Sequence, residues 1–180
     1  MIAPILKGNR IILKPIASKH AAVRYRWYTD PKVAEYQDFL DVSLKKLRNS
    51  IIKRRRSKDY FGWMISIKHN RLIGEIQLKR INFNDKVGEL AINIGETEFW
   101  GQGYASEAIK LVSKFFFNRL KLNRIELDVF SKNIGAIKCY QKCGFEKEGV
   151  KRKACFKNGK FYDLILMGIL REEWQKKNKS

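Results

Sequence analysis

Two glycines one residue apart, in Phe99-Trp100-Gly101-Gln102-Gly103-Tyr104-Ala105-Ser106-Glu107-Ala108, separate a strand-like run from an amphipathic helix. Upstream, Val87 to Ile94 reads as a strand. Downstream, Ala105, Ala108, Ile109, Val112 and Phe116 recur at helical spacing, with Glu107, Lys110, Ser113, Lys114 and Asn118 facing away. The first turn of such a helix carries N–H groups without intrahelical partners and about half a positive charge of summed peptide dipole. Glycines let the backbone there take turns closed to other residues and lie close against a ligand. The loop is therefore a candidate cradle for pyrophosphate, although a plain glycine turn joining two elements would carry the same letters.

Two well-known phosphate motifs fit poorly. A P-loop needs Gly-Lys-Ser/Thr at the helix start, and a dinucleotide fold wants a third glycine where Ser106 stands. Glu126 and Asp128 lie at a tolerable distance for a ribose carboxylate, but too little chain follows to build a second mononucleotide half.

At 180 residues and 44% hydrophobic content the chain can bury one substantial core, and no Pro-, Gly- or Ser-rich linker interrupts it, so one domain is expected over residues 1–180. No apolar run reaches membrane-helix length, and Met1 to Arg10 lacks a hydrophobic stretch followed by a small-residue cleavage site. The expectation is a cytoplasmic protein with no membrane association. Cys139, Cys143 and Cys155 have neither CxxC spacing nor a nearby histidine, which argues against a disulfide framework and a metal site. Cys139 and Cys143 share a helix face and read as small core residues.

A net charge of +20, from 38 Lys and Arg against 18 Asp and Glu, makes the surface potential strongly positive. Lys53-Arg54-Arg55-Arg56 and Lys151-Arg152-Lys153 could meet nucleic-acid phosphates. Alternatively, they belong to a solvated lysine-rich surface that gathers anionic small molecules. No arginine-and-aromatic nucleic-acid module is visible, and the run from Lys53 adjoins a helical pattern (Leu44, Leu47, Ile51) whose polar face it can supply, which favours the solvated surface.

Along the chain, Arg10 to Pro15 alternates as a first strand, and Ser18 is placed to cap a helix through Val23 and Trp27 to Tyr28, broken at Asp30-Pro31. A helix over Ser43 to Ser57 precedes two strands, Tyr60 to Lys68 and Leu72 to Asn82, joined at His69-Asn70-Arg71. Asn84-Asp85 turns the chain into Lys86 to Ile94. Beyond the glycine loop and its helix come a strand, Arg124 to Phe130, and a helix opened by Asn133 and closed by a left-handed cap at Gly144. Glu148 to Phe156 and Phe161 to Ile169 pair around Asn158-Gly159, and Arg171 to Lys177 reads as a fraying polar tail. The pattern is α/β, a mixed sheet with helices on its faces.

Glu89-Leu90-Ala91-Ile92-Asn93-Ile94, Trp100-Gly101-Gln102-Gly103-Tyr104-Ala105, and Asn133 through Tyr140 to Gly144-Phe145 together resemble the GNAT N-acetyltransferase superfamily, and within it the RimJ/RimL-like branch of ribosomal-protein N-terminal acetyltransferases. The similarity runs from the Arg10 strand through Trp27 and Asp30-Pro31 to Tyr162-Asp163 and Arg171-Glu172-Glu173-Trp174. It implies a single-domain GNAT-like fold, a splayed, mixed, mostly antiparallel sheet flanked by helices, with acetyl-CoA entering between the fourth and fifth strands.

The family's phosphate loop usually reads Arg/Gln-x-x-Gly-x-Gly/Ala; Gly103 and Ala105 hold its last two fixed positions, while Trp100 replaces the first. Loss of that side-chain donor leaves pyrophosphate to the backbone N–H groups of Gly101, Gln102, Gly103, Tyr104 and Ala105. By the same resemblance Ile92 and Ile94 offer backbone groups to the pantetheine arm, Asn133 reaches the cofactor, and Tyr140 protonates the departing sulfur. Plain core packing for the isoleucines, N-capping for Asn133 and burial for Tyr140 remain open as their simpler readings.

Acetyl transfer to an amine requires a proton to be removed, an oxyanion to be stabilised and a thiolate to be protonated. Glu89 and Asp128 are the candidate bases, with Glu89 preferred because Asp128 is shorter than the usual glutamate. The resemblance implies acetyl-CoA as donor, no metal, and a primary amine as acceptor, either a protein N-terminus or a small amine such as an amino sugar. A positive field disfavours polycations, whereas Glu35, Asp38 and Asp41, in the segment relatives use to line the acceptor cleft, would favour them. Two other classes stay in view, a noncatalytic nucleic-acid-binding module and a degenerate acetyltransferase fold kept for partner binding; a homodimer is also left open.

Overall fold

The computed structural model describes residues 2–37 and 42–178, which form an eight-stranded sheet in the order β1-β2-β3-β4-β5-β6-β8-β7. The strands are β1 (Leu6–Lys7), β2 (Ile12–Pro15), β3 (Phe61–Ser66), β4 (Leu72–Asn82), β5 (Val87–Ile94), β6 (Arg124–Phe130), β7 (Glu146–Lys157) and β8 (Lys160–Leu170). All neighbours are antiparallel except β5 and β6, which run parallel. That parallel pair holds for three residues only, from Val87↔Arg124 to Glu89↔Glu126, after which the strands separate.

Helices cover both faces. On one, α1 (Ala21–Thr29), α2 (Pro31–Ala34) and α3 (Leu44–Arg56) bury Trp27, Val33, Leu47 and Ile51 against Ile16 and Met64. On the other, α4 (Tyr104–Lys114) and α5 (Ile134–Cys143) pack Ala108, Ile109, Val112 and Tyr140 over Ile76, Leu78, Leu90, Ile125 and Leu127. With helices on either side, all six residues of β3 are buried, as are residues 73–78 of β4 beside it, so neither run alternates. Among the described residues no helix is long and apolar enough to cross a membrane.

Local chemistry explains most boundaries. Ser43 caps α3 by accepting the Lys46 N–H, and the four basic residues Lys53 to Arg56 fill its last turn, where the helix dipole favours cations. Asp30 accepts the Lys32 N–H with Pro31 beside it, so Asp30-Pro31 ends α1 and also starts α2. Gly144 closes α5 in the left-handed region at φ 101°.

Three expectations change. Ser18 does not cap α1: residues 18–20 form a tight turn ahead of the helix, held where the Ala17 N–H donates to Nδ1 of His20 at 3.0 Å. An added edge strand, β1, precedes the expected first strand, so the strands counted fourth and fifth from sequence are β5 and β6. The chain end does not fray but forms α6 (Arg171–Asn178): Leu170 donates its N–H to Glu173 at 2.8 Å, and Trp174 packs on Phe117 with ring centres 5.4 Å apart.

Beneath α1, Arg24 and Glu75 form a buried ion pair at 2.6 Å, with the Tyr28 hydroxyl donating to Glu75. Burial pushes the Tyr28 phenol up, so it stays protonated as that donor. Glu75→Gln leaves the buried Arg24 guanidinium without its counter-charge and should cost about 3 kcal/mol of stability or more. An unchanged urea midpoint would contradict this.

Candidate active site

Where β5 leaves β6, a cavity of about 670 Å³ opens between the strands. The Gly95 N–H donates to the Ile73 carbonyl at 2.9 Å, and Asn93 and Ala91 stand opposite Glu75 and Gln77 on β4. Alternation in an antiparallel ladder then turns the N–H and C=O groups of Ile92 and Ile94 away from β4 and into the gap. The Ile94 carbonyl already accepts from Nε1 of Trp100 at 2.8 Å, which ties the glycine loop to the end of β5. Ile92, Ile94 and Trp100 all line the cavity.

Gly101 and Gly103 have φ of 74° and 82°, and Gly103 is the N-cap of α4. Gly101, Gly103, Tyr104 and Ala105 reach the cavity wall, placing the first turn of α4 at its edge. Gln102 does not reach it. Its carbonyl accepts from Arg10 at 2.9 Å, and its side-chain amide donates to the Glu98 carbonyl at 2.6 Å. Arg10 also pairs with Glu107 at 3.0 Å and lies 4.6 Å over the Tyr104 ring, so the carboxylate in the first turn of α4 is directed at Arg10. Burial opposes ionisation of Glu107, yet hydrogen bonds from the Arg10 backbone and side chain hold its carboxyl below the usual range.

Across the gap, Asn133 caps α5 by accepting the Ala136 N–H at 3.1 Å while also lining the cavity. Tyr140 is buried, packs on Phe145 and lines the cavity, and its hydroxyl has no hydrogen-bond partner among the described residues. Burial, with Cys139 and Cys143 adding to it, pushes its pKa well above the ordinary phenol value. Cys139 and Cys143 pack against the edge of the core as expected, but they are only half-buried because they face the start of α4.

Glu89 and Asp128 both line the cavity. They share the sheet face that carries α1 to α3, since Leu90, Leu127 and Val129 take the other. Lys79 and Arg80 bind the two Glu89 oxygens at 2.6 and 2.7 Å. Lys79 stands directly opposite Glu89, and the irregular register between Lys79 and Asn82, with Arg80 at φ 51°, aims Arg80 at the same carboxylate. Asp128 gives Oδ2 to Lys151 at 2.8 Å, and no partner contacts its Oδ1 among the described residues.

Composition did not single out Asn93, whose buried side-chain nitrogen on the cavity wall lacks a partner. Strand parity gives its face, but the missing partner depends on what stands opposite. Glu35 lies just outside the cavity, where its carbonyl, with those of Ala34 and Gln37, holds the Lys157 ammonium. Asp38 and Asp41 lie outside the described residues.

Residues 10–146 match the acetyltransferase (GNAT) domain family. The chain is 32% identical over 125 residues, 69% of its length and 70% of the relative's, to the SPbeta prophage-derived uncharacterized N-acetyltransferase YokL of Bacillus subtilis. It is 29% identical over 148 residues, 82% of this chain and 80% of the other, to a spermidine N(1)-acetyltransferase of Vibrio cholerae. The crystal structure of spermidine N-acetyltransferase from Vibrio cholerae in complex with CoA and spermine has a TM-score of 0.85 to this fold at 23% identity, covering 93% of this chain and 99% of that one.

A Cβ on Gly101 would meet nothing within 4 Å, so only its positive φ demands glycine there. Gly101→Ala should therefore cost roughly 1 kcal/mol, and Gly101→Asn less, because asparagine tolerates the left-handed region. Equal urea stability of the Ala variant and the native chain would refute that requirement.

Proposed function

We propose that this chain, which belongs to the GNAT acetyltransferase family and takes acetyl-CoA as its acyl donor, acetylates a primary amine on a neutral or anionic acceptor. Protein N-termini, as in the RimJ/RimL-like branch, and small amines such as amino sugars both fit, with the amine attacking the thioester directly. The observation that carries this reading is the gap itself, a β5 edge with no neighbouring strand beyond Glu89 among the described residues and the first turn of α4 at its mouth.

Acetyl-CoA supplies the activated acyl carbon. In this reading the backbone of Ile92 and Ile94 pairs with the pantetheine amides as a missing strand would, and the amides of Gly101, Gly103, Tyr104 and Ala105 receive the diphosphate. The residues fit such a ligand: the glycine turn holds its first-turn N–H groups toward the cavity, and Glu107 is drawn off by Arg10. Trp100 serves by fixing the strand end, and Gln102 by its carbonyl link to Arg10. Asn133 keeps the start of α5 in place beside the ligand.

Tyr140 is the proton donor to sulfur: its raised pKa keeps the phenol protonated, and its hydroxyl is not committed elsewhere. Between the two carboxylates we assign the base to Asp128, because cations occupy both Glu89 oxygens while Asp128 keeps Oδ1 open. Glu89 then orders Lys79 and Arg80 at the rim of the acceptor side.

Charge argues for the acceptor class. Lys32 and Lys79 line the cavity, and both described carboxylates on its wall already hold cations. With a net charge of +20, a polyamine meets repulsion at long range and no unpaired acid among the described wall residues.

Tyr140→Phe should lower kcat about a hundredfold or more while keeping the thermal shift produced by coenzyme A. Native turnover in that variant would remove the acid role. Asp128→Asn should lose kcat/KM at neutral pH and regain it as rising pH deprotonates the amine unaided, whereas Glu89→Gln should show a flatter profile. In an acceptor panel read by free thiol release, spermidine should be slower than amino sugars and N-terminal peptides; spermidine as the fastest acceptor would overturn the acceptor class.

A further inference from the structure

Cys139 and Cys143 lie one turn apart on α5 and face the first turn of α4. The Cys139 sulfur is 3.2 Å from the Ser106 hydroxyl, and the Cys143 thiol is 3.7 Å from the Ser106 carbonyl. All three cysteines are half-buried and none is in a disulfide, so exposure does not rank them. Position does, because Cys139 lines the donor cavity and Cys143 and Cys155 do not.

We propose that Cys139 is a modification site inside the donor cavity, taking a small-molecule disulfide and, once modified, excluding acetyl-CoA. The inference rests on the assignment of this cavity to the donor. In the exchange, Cys139 loses its proton to solvent and its sulfur bonds to one sulfur of the reagent. The reagent's own S–S bond breaks, and its second sulfur leaves as a thiolate; a dithiol reductant reverses the step.

The surroundings favour the thiolate. The Cys143 S–H and the Ser106 O–H can both point at the Cys139 sulfur, Lys142 adds positive charge, and the pair stands beside the positive end of α4. Burial opposes these effects but does not cancel them: Cys139 is held well below the ordinary thiol value while Cys143 keeps its proton. An adduct on Cys139 would stand between the α4 first turn and α5, the space a bound donor needs.

The test treats the intact chain with dipyridyl disulfide, maps the adducts by mass spectrometry and follows the thermal shift given by coenzyme A. Cys139 should react roughly tenfold or more faster than Cys143 and Cys155. Saturating coenzyme A should slow that reaction, and the modified chain should lose the coenzyme A shift until dithiothreitol restores it. Treated and untreated Cys139→Ser should give equal shifts, and Cys143→Ala should slow labelling of Cys139 by removing the thiol donor. Equal labelling of the three cysteines, labelling indifferent to coenzyme A, or a fully modified chain that still shows the shift would each overturn the proposal. An untreated chain with no coenzyme A shift would instead overturn the donor reading, and the exclusion step with it.

Discussion

The site depends on a strand pair that stops early. β5 and β6 share three residue pairs and then part, leaving the gap-facing backbone groups of Ile92 and Ile94 with no neighbouring strand among the described residues, only the Ile94 carbonyl being taken up, by Trp100. Unpaired N–H and C=O groups in a protein interior are costly, so an edge of this kind persists only if the surroundings forbid closure. Here β5 is held from its other side by β4, and its end is pinned where Trp27 lies against Gly95, too close for any Cβ at that position. Trp27 in turn donates its indole N–H to Glu96 at 2.9 Å. The gap is thus built into the frame before any ligand arrives, and the ordering cost that a ligand would otherwise meet is already met in folding.

The two sides of the gap have different chemistry because the sheet separates them. On the α4 and α5 side stand the helix amides, the Tyr140 phenol and the two thiols, none of them a carboxylate. On the α1 to α3 side stand Glu89, held by two cations from the neighbouring β4, and Asp128, held by Lys151 from β7 two strands away. A phenol with a raised pKa and carboxylates pinned by lysine and arginine thus lie on opposite faces. Burial holds the Tyr140 proton on, and Cys139 and Cys143 add to that effect.

The layout was legible in the sequence wherever the cause is local. Strand alternation, the glycine punctuation at Gly101 and Gly103, and the caps at Asn133 and Gly144 all follow from residues within one turn of each other. What was not legible depends on distant partners. The composition of Arg171 to Lys177 is that of a polar tail, and it becomes a helix because Trp174 finds Phe117 and Glu173 finds the Leu170 N–H. Gln102 sits in the middle of the loop motif, but Arg10, far away in sequence, takes its carbonyl and turns it from the cavity. Side-chain length bears on Glu89 and Asp128 from the sequence alone, whereas the register that sets Lys79 opposite Glu89 and the irregularity that swings Arg80 onto it depend on strand pairing.

The same long-range contacts bear on how an anionic donor is drawn in. Trp100 brings no charge to the loop, and Arg10, which contacts the loop, is committed to Glu107 and the Gln102 carbonyl. In the proposed reading close contacts to a diphosphate fall first to the backbone amides of the loop, whose pull fades within a turn of the helix, with Lys138 and Lys142 on the same cavity wall. Attraction from farther out is left to the +20 surface, whose field is screened beyond about 8 Å at physiological ionic strength. If the proposed reading holds, capture and retention separate: salt should act mainly on the rate of encounter, because the helix amides and the open strand edge lie at the cavity, where screening is weaker.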